Sequence, residues 1–132
     1  MILEYSPKIT LSEVPQLTQK ILTKLEQFCS DKDILFDIKL SFEEALINAI
    51  KYGNKLDKNK PVIIKIEASQ DKICFEIKDQ GQGYDYQNLA LPTEDENLEK
   101  LSGRGVYLIK NFMDEVEFLD NGSRIRMVKY IK

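Results

Sequence analysis

The sequence predicts an α+β fold, a two-layer sandwich in which a mostly antiparallel mixed sheet carries helices on one face. Three observations predict it: two stretches whose apolar residues step by three and four, two hairpin-like pairs of strand patterns, and the element order β-α-α-β-β-lid-α-β-β. Hairpins mixed with helices in this way favour antiparallel pairing over a doubly wound parallel sheet.

The elements follow in chain order. Residues 1–9 are short and mixed, with Pro7 inside, and read as an edge strand. Ser12 reads as an N-cap, with Glu13 in the first turn and Pro15 where a missing N–H is tolerated. Val14, Leu17, Ile21, Leu25 and Phe28 then lie on one face of a helix ending near Ser30. A second helix starts near Asp33, with Ile34, Ile38, Phe42, Ala45, Leu46 and Ala49 on its core face and Gly53-Asn54 as its stop. Residues 55–60 form a basic loop. Val62, Ile64, Ile66 and Ala68 alternate with more polar neighbours, residues 69–71 turn the chain, and Ile73, Phe75 and Ile77 alternate again, which predicts a hairpin ending at Asp79. Residues 84–102, acidic and interrupted by Pro92, read as a loop or partly helical lid. A third helix is expected over residues 105–113. Two strands joined by Asp120-Asn121-Gly122 close the chain, Asn-Gly being a strong hairpin signal.

The 132 residues amount to one domain, 1–132, with room for a sizeable core. A net charge of −3 gives no general attraction to nucleic acid or anionic lipid, and no apolar run is long enough for a membrane span or a signal-peptide core. With no His in the chain, Ser-His-Asp hydrolysis, His-ligated metals and a phosphohistidine carried on this chain are excluded. Two cysteines, Cys29 and Cys74, are too few for a disulfide framework or a Cys-rich zinc site, so the chain reads as cytoplasmic with reduced thiols.

Three motifs carry candidate chemistry. Glu44 and Asn48 are four apart on the second helix, so both address one small object, and such oxygens suit a hard cation such as Mg²⁺. Taken alone they equally suit a solvated helix face. Asp79-Gln80-Gly81-Gln82-Gly83 follows a strand; its glycines let the backbone pass under a flat ligand while the Asp79 carboxylate accepts from an exocyclic amine such as that of adenine. Alone it also suits a Gly-rich turn with an Asp bonded to its own backbone. Gly103-Arg104-Gly105 opens the third helix, where free N–H groups and the helix dipole favour an anion.

The joint order of these motifs resembles the GHKL ATP-binding fold. Phe42-Glu43-Glu44-Ala45-Leu46-Ile47-Asn48-Ala49-Ile50 is similar to the family's N box, Asp79 to Gly83 to its first glycine box, and Gly103-Arg104-Gly105-Val106-Tyr107-Leu108-Ile109 to its second. Residues 103–118 resemble in particular the anti-sigma factor serine/threonine kinase branch of bacterial partner switching. The resemblance covers essentially the whole chain. It implies that Asn48 ligates Mg²⁺ bridging the ATP phosphates and that Glu44 is the general base for a partner's Ser or Thr hydroxyl. It also implies that Asp79 binds the adenine amine, that Gly81 and Gly83 shape the floor beneath it, and that Gly103, Arg104, Gly105 and Val106 hold phosphates. Ser123 aligns with a Thr common in the family, keeping a hydroxyl that supports the Asp79 contact.

The implied activity is a Mg·ATP-dependent protein kinase that phosphorylates an anti-anti-sigma factor and sequesters a sigma factor, as a homodimer acting without nucleic acid or membrane. Lys51-Tyr52 departs from this branch towards the N box of sensor histidine kinases. Two other readings therefore stay open: a weakly catalytic or non-catalytic ATP-binding switch that activates a partner such as a phosphatase, and a detached sensor-kinase catalytic domain.

Overall fold

The structure, a computed structural model, describes residues 1–81 and 101–131. Gly83 and residues 84–100 of the segment read as a lid lie outside the described residues. Five strands form one sheet in the order β1-β2-β3-β5-β4, with every pairing antiparallel: β1 (Ile2–Tyr5), β2 (Ile63–Ala68), β3 (Lys72–Lys78), β4 (Glu115–Leu119) and β5 (Arg124–Tyr130). Among the described residues three helices, α1 (Val14–Leu25), α2 (Lys32–Asn48) and α3 (Leu101–Phe112), complete the α+β fold.

Alternation in the strands decides which face the helices cover. Ile64 and Ile66 of β2, Ile73, Phe75 and Ile77 of β3, and Ile125 and Met127 of β5 are buried, whereas Lys65, Glu67, Glu76 and Arg126 point away from that core. The helices meet this layer with Val14, Ile21 and Leu25 from α1, Ile38, Phe42, Ala45 and Leu46 from α2, and Ile109 from α3. Phe42 and Phe75 join the two layers, their ring centroids 5.9 Å apart and tilted by 49°.

Several local details differ from expectation. Ser12 does not cap α1. A short 3₁₀ turn, Leu11–Glu13, precedes the helix, and the Glu13 carboxylate accepts from the Thr10 N–H (3.2 Å) and hydroxyl (2.8 Å). The extra turn displaces the capping pair upstream, because Val14 must reach the core at the helix start. α1 also stops at Leu25 rather than near Ser30. Asp31 is the N-cap of α2, accepting from the amides of Asp33 (2.9 Å) and Ile34 (3.3 Å). At its far end α2 passes into a π turn, Ala49–Gly53, before the loop in which Lys55 and Leu56 adopt left-handed φ of 54° and 63°. α3 already covers Leu101, ahead of the expected start at Gly105, so residues 101 and 102 are helical. The Asp120-Asn121-Gly122 connection is as expected: all three residues have positive φ, and β4 turns into β5.

Lys129 joins three elements across the helical layer. Its side chain is only 12% exposed, and its ammonium donates to Asp37 Oδ2 of α2 (3.1 Å) and to the Phe112 carbonyl at the end of α3 (2.7 Å). A cation at a helix C-terminus also opposes the macrodipole. Lys129→Ala leaves a carboxylate and a terminal carbonyl without their shared donor, so we expect a loss of about 1–3 kcal/mol. Urea unfolding of the two proteins measures it, and an unchanged midpoint would show that water replaces the ammonium at no cost.

Candidate functional site

The C-terminal half of α2 sets one end of the site. Glu44 and Asn48 lie one helical turn apart, as their spacing predicts, but the environment is not a solvated face: Glu44 is half-buried and Asn48 is 1% exposed. Neither Oδ1 nor Nδ2 of Asn48 has a hydrogen-bond partner among the described residues. An unpaired buried amide costs about 1–3 kcal/mol per group, so natural structures keep one only where something else satisfies it.

Gly105 explains how α3 comes so close to this pair. A Cβ added at Gly105 would stand 2.6 Å from Glu44 Oε2 and 3.2 Å from Asn48 Nδ2. The absent side chain leaves the Glu44 carboxylate and the Asn48 amide where they stand, since a Cβ would make the end of Glu44 shift, and this holds inside a helix despite glycine's poor propensity. This also corrects the reading of Gly103-Arg104-Gly105 as a helix opening. Because the helix already covers Leu101, the amides of Gly105 and Val106 fall within its ladder.

The other end lies where β3 stops. The Asp79 N–H donates to the Ser123 carbonyl (2.9 Å), which extends the β3–β5 pairing by one bond, and the side chain turns inward to 3% exposure. Asp79 Oδ1 accepts from the Gly81 N–H at 2.8 Å. Desolvation raises the Asp79 pKa above its ordinary value, and the Gly81 amide and the Lys78 charge oppose that rise without cancelling it. Gly53, the last residue of the π turn, lies flat against this carboxylate: a Cβ there would collide with Asp79 Oδ2, and one at Gly81 would collide with the Gly53 carbonyl. The Ser123 hydroxyl does not support Asp79 in this structure; it donates to the Asp120 carbonyl (2.9 Å), and Ser123 reaches Asp79 through its backbone alone.

Two residues of this end carry no motif. Gly53 and Asn54 read in the sequence as a helix stop, yet Gly53 walls the Asp79 carboxylate and Asn54 is buried behind it, accepting from the Gln80 N–H at 2.6 Å. No local signal separates such a pair from an ordinary Gly-Asn terminus, because the partners lie 26 residues away. Lys51 stays apart from the cluster, its ammonium 5.5 Å from the ring centroid of Tyr52, and Lys55, Lys58 and Lys60 are exposed, as a basic helix end and loop should be.

Chemically, Asn48 offers a carbonyl oxygen to a hard cation beside the Glu44 carboxylate, and Asp79 offers an acceptor to an amine. Among the described residues no three His, Cys, Asp or Glu side chains could enclose a metal. A divalent ion held by Asn48 would therefore complete its shell with water and phosphate oxygens, the usual habit of Mg²⁺.

Comparison with known proteins shows the family. Residues 9–129 match the histidine kinase-like ATPase domain. The chain is 37% identical over 108 residues to the serine-protein kinase RsbW of Staphylococcus aureus strain JH9, a match spanning 76% of this chain and 68% of that protein. It is 38% identical over 109 residues, with the same shares, to the protein of that name from the bovine strain RF122/ET3-1.

The raised pKa of Asp79 gives a stability prediction with a definite sign. Folding binds a proton more tightly at Asp79 than the unfolded chain does, so stability falls as pH rises from the ordinary value of 3.8 through the folded value, and the loss persists at neutral pH. Asp79→Asn keeps an oxygen for the Gly81 amide and removes the buried charge. The variant should unfold at higher denaturant than the parent at pH 7, and the advantage should shrink below pH 3.8, where the aspartic acid is neutral in both states. Denaturant midpoints across that range test this; an advantage independent of pH would assign the effect to something other than the charge.

Proposed function

This chain belongs to the histidine kinase-like ATPase domain family, and from that premise we propose that it is a Mg·ATP-dependent protein serine/threonine kinase that phosphorylates an anti-anti-sigma partner and sequesters a sigma factor. One observation carries the reading: the buried, unpartnered amide of Asn48 one turn from the Glu44 carboxylate, with Gly105 in contact distance of both. A binding module needs a metal ligand and a base-recognition group, but it has no need of a carboxylate held at the phosphate end. The relatives named serine-protein kinase support the serine-directed branch.

In this reading Asp79 accepts from the adenine amine, with Gly81 and Gly83 beneath the base, and Asn48 Oδ1 is the protein ligand to Mg²⁺. Bound Mg²⁺ would neutralise charge on the phosphates. Gly103 and Arg104 hold phosphate oxygens in the first described turn of α3. Glu44 takes the proton from the partner's Ser or Thr hydroxyl as its oxygen bonds to the γ-phosphorus and the bond from that phosphorus to the β-γ bridging oxygen breaks, leaving ADP. Catalysis of this kind is mostly positioning and electrostatics, which a chain without His can supply. No described helix is long and apolar enough to cross a membrane, and the proposed partners would be met in the cytoplasm, by a single domain acting as a homodimer.

Paired measurements on two variants test the reading. Asn48→Ala should lose both metal-dependent ATP binding and transfer. Glu44→Gln should bind Mg·ATP nearly as the parent does while its transfer to a protein hydroxyl falls by ~10²–10⁴, the usual share of a positioned general base. Full transfer by Glu44→Gln would remove Glu44 as the base, and acid-labile product would move the acceptor from Ser to a partner's His.

Adenine recognition has its own check. Replacing the Asp79 carboxylate by an amide sets a donor against a donor, so Asp79→Asn should weaken ATP roughly 10- to 100-fold, the worth of a charge-assisted hydrogen bond. Calorimetry reads it directly, and unchanged affinity would take Asp79 out of the pocket.

A further inference from the structure

The end of α2 is built more elaborately than a helix stop requires. The carbonyls of the π turn that ends it are already served by the backbone, since the Asn54 N–H donates to the Ala49 carbonyl at 2.8 Å and the Leu56 N–H to that of Ile50 at 2.8 Å. The Asn54 side chain is nonetheless 2% exposed and committed in three directions. Its Oδ1 accepts from the Gln80 N–H at 2.6 Å, and its Nδ2 donates to the carbonyls of Lys60 (3.1 Å) and Pro61 (3.3 Å). Both donors and the acceptor of the amide are thus used. None of the three bonds serves α2. Two fasten the loop that leads into β2, and the third crosses to the turn after β3.

We propose that Asn54 is a positioning residue for base recognition: by holding the Gln80 N–H it fixes the Asp79-Gln80-Gly81 turn and so sets a preference for 6-amino over 6-oxo purine nucleotides. The inference rests on the reading that Asp79 receives the adenine amine. Asp79 can be presented in one orientation only if the Gly81 amide returns to its Oδ1, and that return depends on the direction of the peptide between them. The amide of Gln80 is the handle on that peptide, and Asn54 holds it. Gly53 blocks the opposite side of the carboxylate, so the π turn and the residue after it clamp Asp79 from two directions. An ionised carboxylate has only acceptors; it attracts a 6-amino group and repels a 6-oxo group. The size of that discrimination depends on how firmly the carboxylate is aimed.

The experiment compares Mg·ATP with Mg·ITP, which carries a carbonyl where adenine carries its amine, by calorimetry on the parent protein and on Asn54→Ala. The parent should prefer ATP by ~10-fold or more, and in the variant ATP affinity should drop by about 10-fold while ITP affinity stays nearly constant, in line with one charge-assisted hydrogen bond misaligned. Equal weakening of both nucleotides would overturn the proposal, because a general structural role moves them together. A parent that binds ATP and ITP alike also overturns it, and a parent that binds neither overturns the nucleotide reading on which it rests. Should Asn54→Ala fail to fold, amide hydrogen exchange on the parent protein decides the matter. ATP should slow exchange at Gln80 well beyond what ITP does at equal saturation, and equal protection would refute the proposal.

Discussion

The buried carboxylate of Asp79 is the constraint to which its end of the molecule conforms. Taking a carboxylate out of water is expensive unless hydrogen bonds replace the solvent. Here the Gly81 amide supplies one, and to reach Oδ1 it must return within two residues of a strand end. That tight return leaves no space for side chains: a Cβ at Gly81 would strike the Gly53 carbonyl, and one at Gly53 would strike the carboxylate itself. The sheet supports the other side, where the Ser123 carbonyl takes the Asp79 N–H as a continuation of the β3–β5 ladder. The raised pKa is what remains of the desolvation cost after these bonds have been made.

The rest of the fold makes that cost tolerable. A continuous apolar layer between one sheet face and the described helices, with Phe42 on Phe75, provides the surplus from which two buried polar positions, Asn48 and Asp79, can be held. The same layer fixes the separation of those positions. α2 is held by its core face and by Asp37 through Lys129, and α3 is held at its C-terminal carbonyl by the same ammonium. With that end anchored, the Gly105 end of α3 can lie directly on Glu44 and Asn48 without a side chain to keep it away.

Most of the architecture was legible because its signals are local and repeated. Strand alternation named the buried residues of β2 and β3 correctly, and the steps of three and four named the core faces of α1 and α2. Asn48 and Asp79 were legible as chemistry, though their burial was not: a four-residue spacing identifies a shared helix face but not what covers it. What escaped the sequence depends on contacts distant along the chain. Ser12 looks like a helix cap, yet the chain enters α1 through a 3₁₀ turn that Thr10 and Glu13 tie together, and Val14 opens the helix already buried. Gly103-Arg104-Gly105 reads as a helix opening, whereas Gly105 lies inside α3 where the helix comes close to Glu44 and Asn48. Asn54 looked like punctuation, since its acceptor role toward Gln80 exists only once β3 has been laid beside the end of α2.

An ordering by exposure runs through the site and suits the proposed division of labour. Asp79 and Asn48 are almost wholly buried, whereas Glu44, one turn before Asn48, is half-buried. Groups that discriminate a nucleotide gain from a dry, fixed setting, where each hydrogen bond is worth more and a wrong base leaves a polar group unpaired. A base that must meet a hydroxyl on another protein has the opposite requirement, since full burial would exclude the partner along with the water. The π turn links the two groups within a single stretch of chain: five residues carry the backbone from the end of α2 to the contact of Gly53 with Asp79. A regular helix continued over those residues would carry the backbone along α2's axis instead, and Gly53 and Asn54 would no longer be delivered to the turn that presents the carboxylate.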